Sequence, residues 1–160
     1  RQCSEAVELP GGTPTEKAEF RDNLIADIAK VEQGMKIALI GVVNPLIAAI
    51  RKRGGTCLPC DLQMERTHWG DPVEKDMEKV LDSADGVICT GMTLSNGTFD
   101  RVIERVLERS IPLTVYAQTG SAVAARFVGA GITSLVAEPF PFSQFSANAT
   151  RVFCYRGQGD

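Results

Sequence analysis

The side chains able to do chemistry fall into a few groups along the chain. Two thiols stand three positions apart in Cys57-Leu-Pro-Cys60, and the single histidine, His68, follows eight residues later. A Cys-x-x-Cys pair can hold a soft metal or cycle between dithiol and disulfide. A closed zinc site needs four ligands, and the sequence carries no second such pair. Cys57, Cys60 and His68 are therefore an incomplete candidate metal set, which Cys89 or Cys3 could join only through the fold. Three readings stay open for the two thiols: unremarkable strand residues, ligands of a transition metal as the candidate cofactor, or a redox pair. A thioredoxin-type motif opens a helix, and Asp61-Leu-Gln-Met-Glu65 shows no helix start. Asp61 and Glu138 are the candidate carboxylates for acid–base work, with His68 as the alternative.

A second group is rich in glycine, hydroxyls and amides. It comprises Gly41-Val-Val-Asn44, Thr90-Gly-Met-Thr-Leu-Ser-Asn-Gly-Thr98 and Gln118-Thr-Gly-Ser121, with Asp61 nearby. Glycine lets backbone N–H groups approach a ligand, and a helix start favours an anion. The ligand-binding candidates are thus Gly41, Asn44, Asp61, Thr90, Gly91, Thr93, Asn96, Gly97, Thr98, Thr119, Gly120 and Glu138. The same residue types also build turns and helix caps. A dinucleotide fingerprint would need three glycines after the first strand, and Gly41-Val-Val-Asn-Pro-Leu46 has one. No NAD is expected, although Asp61 lies 20 positions after Gly41. Walker A and Gly-x-Ser-x-Gly patterns are both missing from the sequence.

These segments need a scaffold, and the patterning supplies one. Residues 13–31 read as a helix: Thr13-Pro14-Thr15-Glu16 is a capping box with proline at the first helical position, and Phe20, Leu24, Ile28 and Val31 share a face. Residues 36–43 read as a strand buried on both faces. A short helix over 46–53 ends in Arg51-Lys52-Arg53, where cations offset exposed carbonyls. Residues 56–61 read as an extended edge piece because Pro59 cannot donate to a ladder. Asp71-Pro-Val-Glu74 repeats the capping logic, predicting a helix with Val73, Met77, Val80, Leu81 and Ala84 inward. Strands are expected over 86–91, 112–117, 132–137 and 151–155. Helices are expected over 98–109, with Val102, Ile103, Val106 and Leu107 inward, and over 122–128. The alternation predicts an α/β fold, a Rossmann-like three-layer sandwich with a mainly parallel sheet. Residues 1–35 form an N-terminal lead-in and helix, and residues 36–160 the Rossmann-like domain.

Composition narrows the classes. The chain has 160 residues, 44 % of them apolar, and a net charge of −3. That is one domain, large enough to fold without staples. With no basic stripe, nucleic acid is not an expected partner. The longest apolar stretch, 37–50, is interrupted by Asn44-Pro45 and falls short of the roughly 18 residues of a membrane span, so no membrane is expected. Five cysteines, an odd number, fit reduced thiols and a cytoplasmic location. Phe140, Phe142 and Phe145 between prolines make an apolar loop that either covers the core or contacts another chain.

The run Ala84-Asp-Gly-Val-Ile-Cys-Thr-Gly-Met-Thr-Leu-Ser-Asn-Gly-Thr-Phe-Asp100 resembles the putative heavy-metal chelation family, whose members carry a similar loop after a Rossmann-like strand. The resemblance implies a Rossmann-like domain that follows a smaller, enolase-N-terminal-like domain, with a site in the cleft between them. Thr90, Gly91, Thr93, Asn96, Gly97 and Thr98 would line that cleft. About 35 residues precede the strand at 36, too few for the smaller domain, and the chain starts at Arg1. The expectation is an excised piece, or a cleft completed by another subunit or a homo-oligomer. The function expected is binding of a metal ion, a metal complex or a small anionic ligand at the carboxyl edge of the sheet. The alternatives are an enzyme acting there on a nucleotide-like or carboxylated small molecule, and a subunit of a larger complex.

Overall fold

A computed structural model describes residues 3–91 and 97–157. One seven-stranded sheet runs through it: β1 (Glu5–Leu9), β2 (Lys36–Ile40), β3 (Thr56–Cys60), β4 (Gly86–Thr90), β5 (Leu113–Ala117), β6 (Ser134–Ala137) and β7 (Thr150–Arg156). The spatial order is β1-β7-β6-β5-β4-β2-β3. Strands β3, β2, β4, β5 and β6 pair in parallel, and β7 runs antiparallel to both of its neighbours.

Alternation along β2 explains the two cores. Ile37 and Leu39 point to one face, where α1 (Pro14–Ile28) and α2 (Asn44–Lys52) bury Ile25, Leu46, Ile47 and Ile50. Ala38 and Ile40 point to the other, covered by α3 (Met77–Ser83), α4 (Phe99–Arg109) and the single turn Ser121–Ala124. Each fully buried Leu or Ile contributes about 1.5–3 kcal/mol, so both faces are needed to hold the sheet. No helix among the described residues is long and apolar enough to cross a membrane.

The alternating α/β reading holds, and Pro59 does lie on an edge strand, opposite Leu39. Four details differ. First, β1 precedes the segment read as the first strand and zips onto β7, tying the N-terminal lead-in into the sheet. Second, helix α3 starts at Asp76, whose side chain accepts from Glu78 N. Asp71 is instead drawn to Arg51 (2.6 Å) and Thr67 (3.0 Å), so Val73 packs from an extended segment. Third, Leu107 is 59 % exposed, because Val102 and Val106 already fill the face of α4 against the sheet. Fourth, α1 is rotated from the expected face. Its buried row is Lys17, Arg21, Asp22, Ile25 and Ile28, while Phe20 is exposed. The capping box is as read: Thr13 Oγ1 accepts from Glu16 N (3.2 Å) and Glu16 returns a bond to Thr13 N (2.8 Å).

Candidate functional site

The chain leaves β2 outward to β3 and returns past it to β4, so strand order reverses between β2 and β4. In open α/β sheets the carboxyl ends at such a reversal form the binding crevice. Gly41 sits there with φ +83°, and a Cβ on it would stand 2.1 Å from Thr90 Oγ1, which donates to Gly41 O at 3.2 Å. Only glycine allows β2 and β4 to approach this closely while turning left-handed. Asp61 closes the same corner: one oxygen accepts from Val42 N (2.9 Å), the other from Gln63 N (2.8 Å) and Met64 N (3.2 Å).

A few strands along the same edge, α1 meets the exits of β5 and β6. Glu138, the first residue past β6, is fully buried. Its carboxylate accepts from the Tyr116 hydroxyl, from Ser143 N and from Gln118 Nε2 (3.1 Å), with Arg21 Nη1 at 3.9 Å. Burial pushes the Glu138 carboxyl up, but these donors outweigh it and hold its pKa below the ordinary value. Tyr116 moves the other way: burial and the adjacent carboxylate raise it, despite the Arg21 cation 4.9 Å above its ring. Arg21 Nε donates to Asp22 Oδ1 (2.7 Å) and Nη1 to Ser143 Oγ (3.3 Å), which leaves Nη2 without a hydrogen bond to the described residues. Burial opposes the Arg21 cation, yet Asp22, Tyr116 and Glu138 more than compensate, and its pKa lies above the ordinary value. Asp22 Oδ2 is buried with no hydrogen-bond partner among the described residues. Burial raises the Asp22 carboxyl, and Arg21 only partly offsets this. One turn earlier Lys17 Nζ donates to the carbonyls of Ser146 (2.8 Å) and Asn148, pinning the loop that carries Ser143.

This cluster borders a recess of about 360 Å³ lined by Pro14, Ala18, Arg21, Val43, Tyr116, Gln118, Ser143 and Gln144. A second recess of about 320 Å³ lies beyond the β5 exit, between the start of α4 and the 121–127 turns. A third, about 540 Å³, opens between α1, α2 and the His68–Trp69 loop.

The candidate residues distribute over these places. Gly41, Asp61 and Thr90 meet at the strand reversal. Gly91 packs behind them, where a Cβ would be 3.5 Å from Ala117 Cα. Glu138 belongs to the Arg21 cluster, and Gly97 and Gly120 share the second recess. Thr98 is the residue before α4, and Thr119 is exposed. Asn44 Oδ1 accepts from His68 N (2.9 Å) at the third recess, with the exposed His68 ring edge-on to Trp69. Thr93 and Asn96 lie outside the described residues. The two thiols do not converge: Cys57 is buried in the core under α1 and α2, Cys60 in the core on the opposite face. Burial pushes them up to about 12 and about 11. Phe140 and Phe145 are 78 % and 70 % exposed, so that turn does not cover the core with them.

Sequence reasoning missed Arg21, Tyr116 and Ser143, and named Gln118 only as part of the segment Gln118-Thr-Gly-Ser121. One signal was available: Lys17 and Arg21 continue, at spacings of four, the row that ends in Ile25 and Ile28, so a basic track extends a buried face.

The profile of the family described as putative heavy-metal chelation (DUF364) matches residues 24–135, more than half of the chain. The chain belongs to this family. A family structure of unknown function from Pyrococcus horikoshii superposes with a TM-score of 0.61 at 15 % identity, covering 88 % of this chain and 64 % of that one. This chain therefore spans less than two thirds of that relative's length. Serine palmitoyltransferase from Sphingomonas wittichii (TM-score 0.59, 12 % identity, 98 % of this chain, 39 % of that one) shares the fold. So does a mitochondrial aspartate aminotransferase from Trypanosoma brucei (0.54, 14 %, 95 % and 44 %). Among curated proteins none matches in sequence. The family description prompts a test of the donors present. No group of three or more His, Cys, Asp or Glu side chains that could hold a metal ion occurs among the described residues. Asp61 and Glu138 each already accept three hydrogen bonds. Among the described residues, the donor set does not fit a bare heavy-metal ion.

Proposed function

We propose that this domain binds a small anionic ligand, including an anionic complex of a metal, at the carboxyl edge of its sheet. The observation that carries the reading is Arg21. Its guanidinium lines the recess, is held in place by Asp22, Ser143 and the Tyr116 ring, and leaves Nη2 without a partner among the described residues. A planar cation fixed on three sides suits a carboxylate or phosphate on the fourth. Ser143 and the amides of Gln118 and Gln144 add polar groups on the same walls. The Tyr116–Glu138 pair supports positioning rather than proton transfer, since the tyrosine holds its proton more tightly than usual and the carboxylate holds one less tightly.

Calorimetric titration with inorganic phosphate, citrate and ferric citrate tests this. Citrate, free or metal-loaded, should bind the parent protein and lose at least tenfold in affinity in Arg21→Gln, with Arg21→Lys intermediate. Equal affinity in a folded Arg21→Gln protein would refute the reading. So would stoichiometric uptake of bare metal ions with no dependence on the organic anion.

A further inference from the structure

We infer that the ligand is an anion joined to a flat apolar group, and that the recess beyond the β5 exit receives that group. The inference rests on the Arg21 recess being the anion site. Residues 116–120 separate the two recesses and wall both: Tyr116 and Gln118 face the α1 side, and Gly120 faces the other. Full extension of those five residues keeps Tyr116 and Gly120 within about 14 Å of each other, which bounds the spacer that must join the ligand's anion to its ring.

The two recesses have opposite chemistry. The second is built from Phe99 and Phe127, edge-to-face with centroids 6.0 Å apart, and from Val123, which is 60 % exposed there. Gly97 and Gly120 present bare backbone, and a Cβ on Gly97 would meet nothing among the described residues within 4 Å. Of the described lining side chains only Asp100 is charged, and its sign repels an anion. Across the loop the charged lining group is the Arg21 cation. A ligand with its charge at one end and a ring at the other matches both. The volume agrees, since an apolar cavity of about 150 Å³ takes up benzene and this one is about 320 Å³. An exposed valine beside a half-exposed phenylalanine is otherwise apolar surface without cover.

The test compares pentanoate with 5-phenylpentanoate and 8-phenyloctanoate by calorimetry, the longest acid matching the reach of five extended residues. The parent should bind at least one phenyl acid ten or more times tighter than pentanoate. Val123→Gln, which puts a polar side chain into the recess from an exposed turn, should erase that gain and leave pentanoate unchanged. Phe127→Ala should reduce the gain, and Arg21→Gln should weaken all three acids, with Arg21→Lys as the check should Arg21→Gln fail to fold. Equal, Arg21-dependent binding of phenyl and plain acids overturns this inference and leaves the anion site standing. Phenyl acids that bind independently of Arg21 overturn the joined ligand. Absence of carboxylate binding altogether sinks the anion site and this inference with it.

Discussion

Two stretches of the same sheet edge carry the residue types that suggest chemistry, and they use them oppositely. At β3, Cys57, Cys60 and Asp61 are adjacent in sequence but divided by the fold: one thiol enters each core, and the carboxylate is consumed by three backbone N–H groups. At β5 and β6, Tyr116, Gln118 and Glu138 come from two strand exits and are joined by Arg21 from a helix about a hundred positions earlier. A strand alternates faces, so a spacing of three separates side chains that a helix would bring together. The crowded motif is split between the two cores, and the dispersed one lines a recess.

The largest expected effect is at Arg21. Replacing it by methionine keeps the stem but leaves Asp22 as a buried carboxylate without its cation, while Glu138 keeps its three hydrogen bonds. Removing one partner of a buried pair costs about 3–5 kcal/mol. Urea unfolding at neutral pH should show a loss in that range. A loss below about 1 kcal/mol would mean the cluster is no tighter than a surface pair and would erase the contrast with β3.

Next is Gly41, at the strand reversal between the two stretches. Alanine there adopts a left-handed φ at about 1–2 kcal/mol and also drives its Cβ into Thr90 Oγ1. Adding Thr90→Ala should recover the steric part only. Full recovery of the melting temperature in the double variant would show that the backbone at 41 relaxes and that the close approach of β2 to β4 is not fixed.

A smaller effect separates the two acids beside Arg21. Glu138 has a lowered pKa, so its contribution is complete above the unfolded value of about 4.5 and is lost as pH falls through the lower folded value. Asp22 is raised, so ionising it costs stability, and protonation relieves that cost as pH falls toward about 3.8. Urea midpoints between pH 3 and 7 should therefore fall less steeply on the acid side in Glu138→Gln, and more steeply in Asp22→Asn. Identical slopes in the two variants would show that the hydrogen bonds to Glu138 do not set it apart from Asp22.

Most of the scaffold was legible because its signals are local. Capping at Thr13, proline on an edge strand and continuous apolar runs in β2, β4 and β5 depend on neighbours in sequence. Strand β1 was not, since Glu5-Ala-Val-Glu-Leu9 alternates weakly and owes its conformation to pairing with β7. The site was legible in part. Glu138 and Gly41 stand where a strand ends, a position readable from the pattern, while Arg21 is buried only because a distant loop places Glu138 and Ser143 over it. Charged residues on a helix read as solvent-facing until their tertiary partners are known.

The smallest expected effect falls on the most motif-like residues. One ion bound by Cys57 and Cys60 would need both sulfurs about 2.3 Å away, hence within roughly 4–5 Å of each other, on a strand that sends them to opposite faces. It would also need thiolates. Binding would have to displace protons from thiols that burial makes weak acids, with pKa values pushed up to about 12 and about 11. Cys57→Ala/Cys60→Ala should therefore leave the metal content of protein purified without chelators unchanged. Its cost should appear only as lost packing, about 1 kcal/mol per site, read by urea unfolding. In the parent, Ellman's reagent should titrate the exposed Cys3 quickly and the four buried thiols only on unfolding. Loss of a stoichiometric metal in the double variant would require β3 to leave β2 and turn one thiol across the sheet, making the β3 corner, and not the Arg21 recess, the working part of this edge.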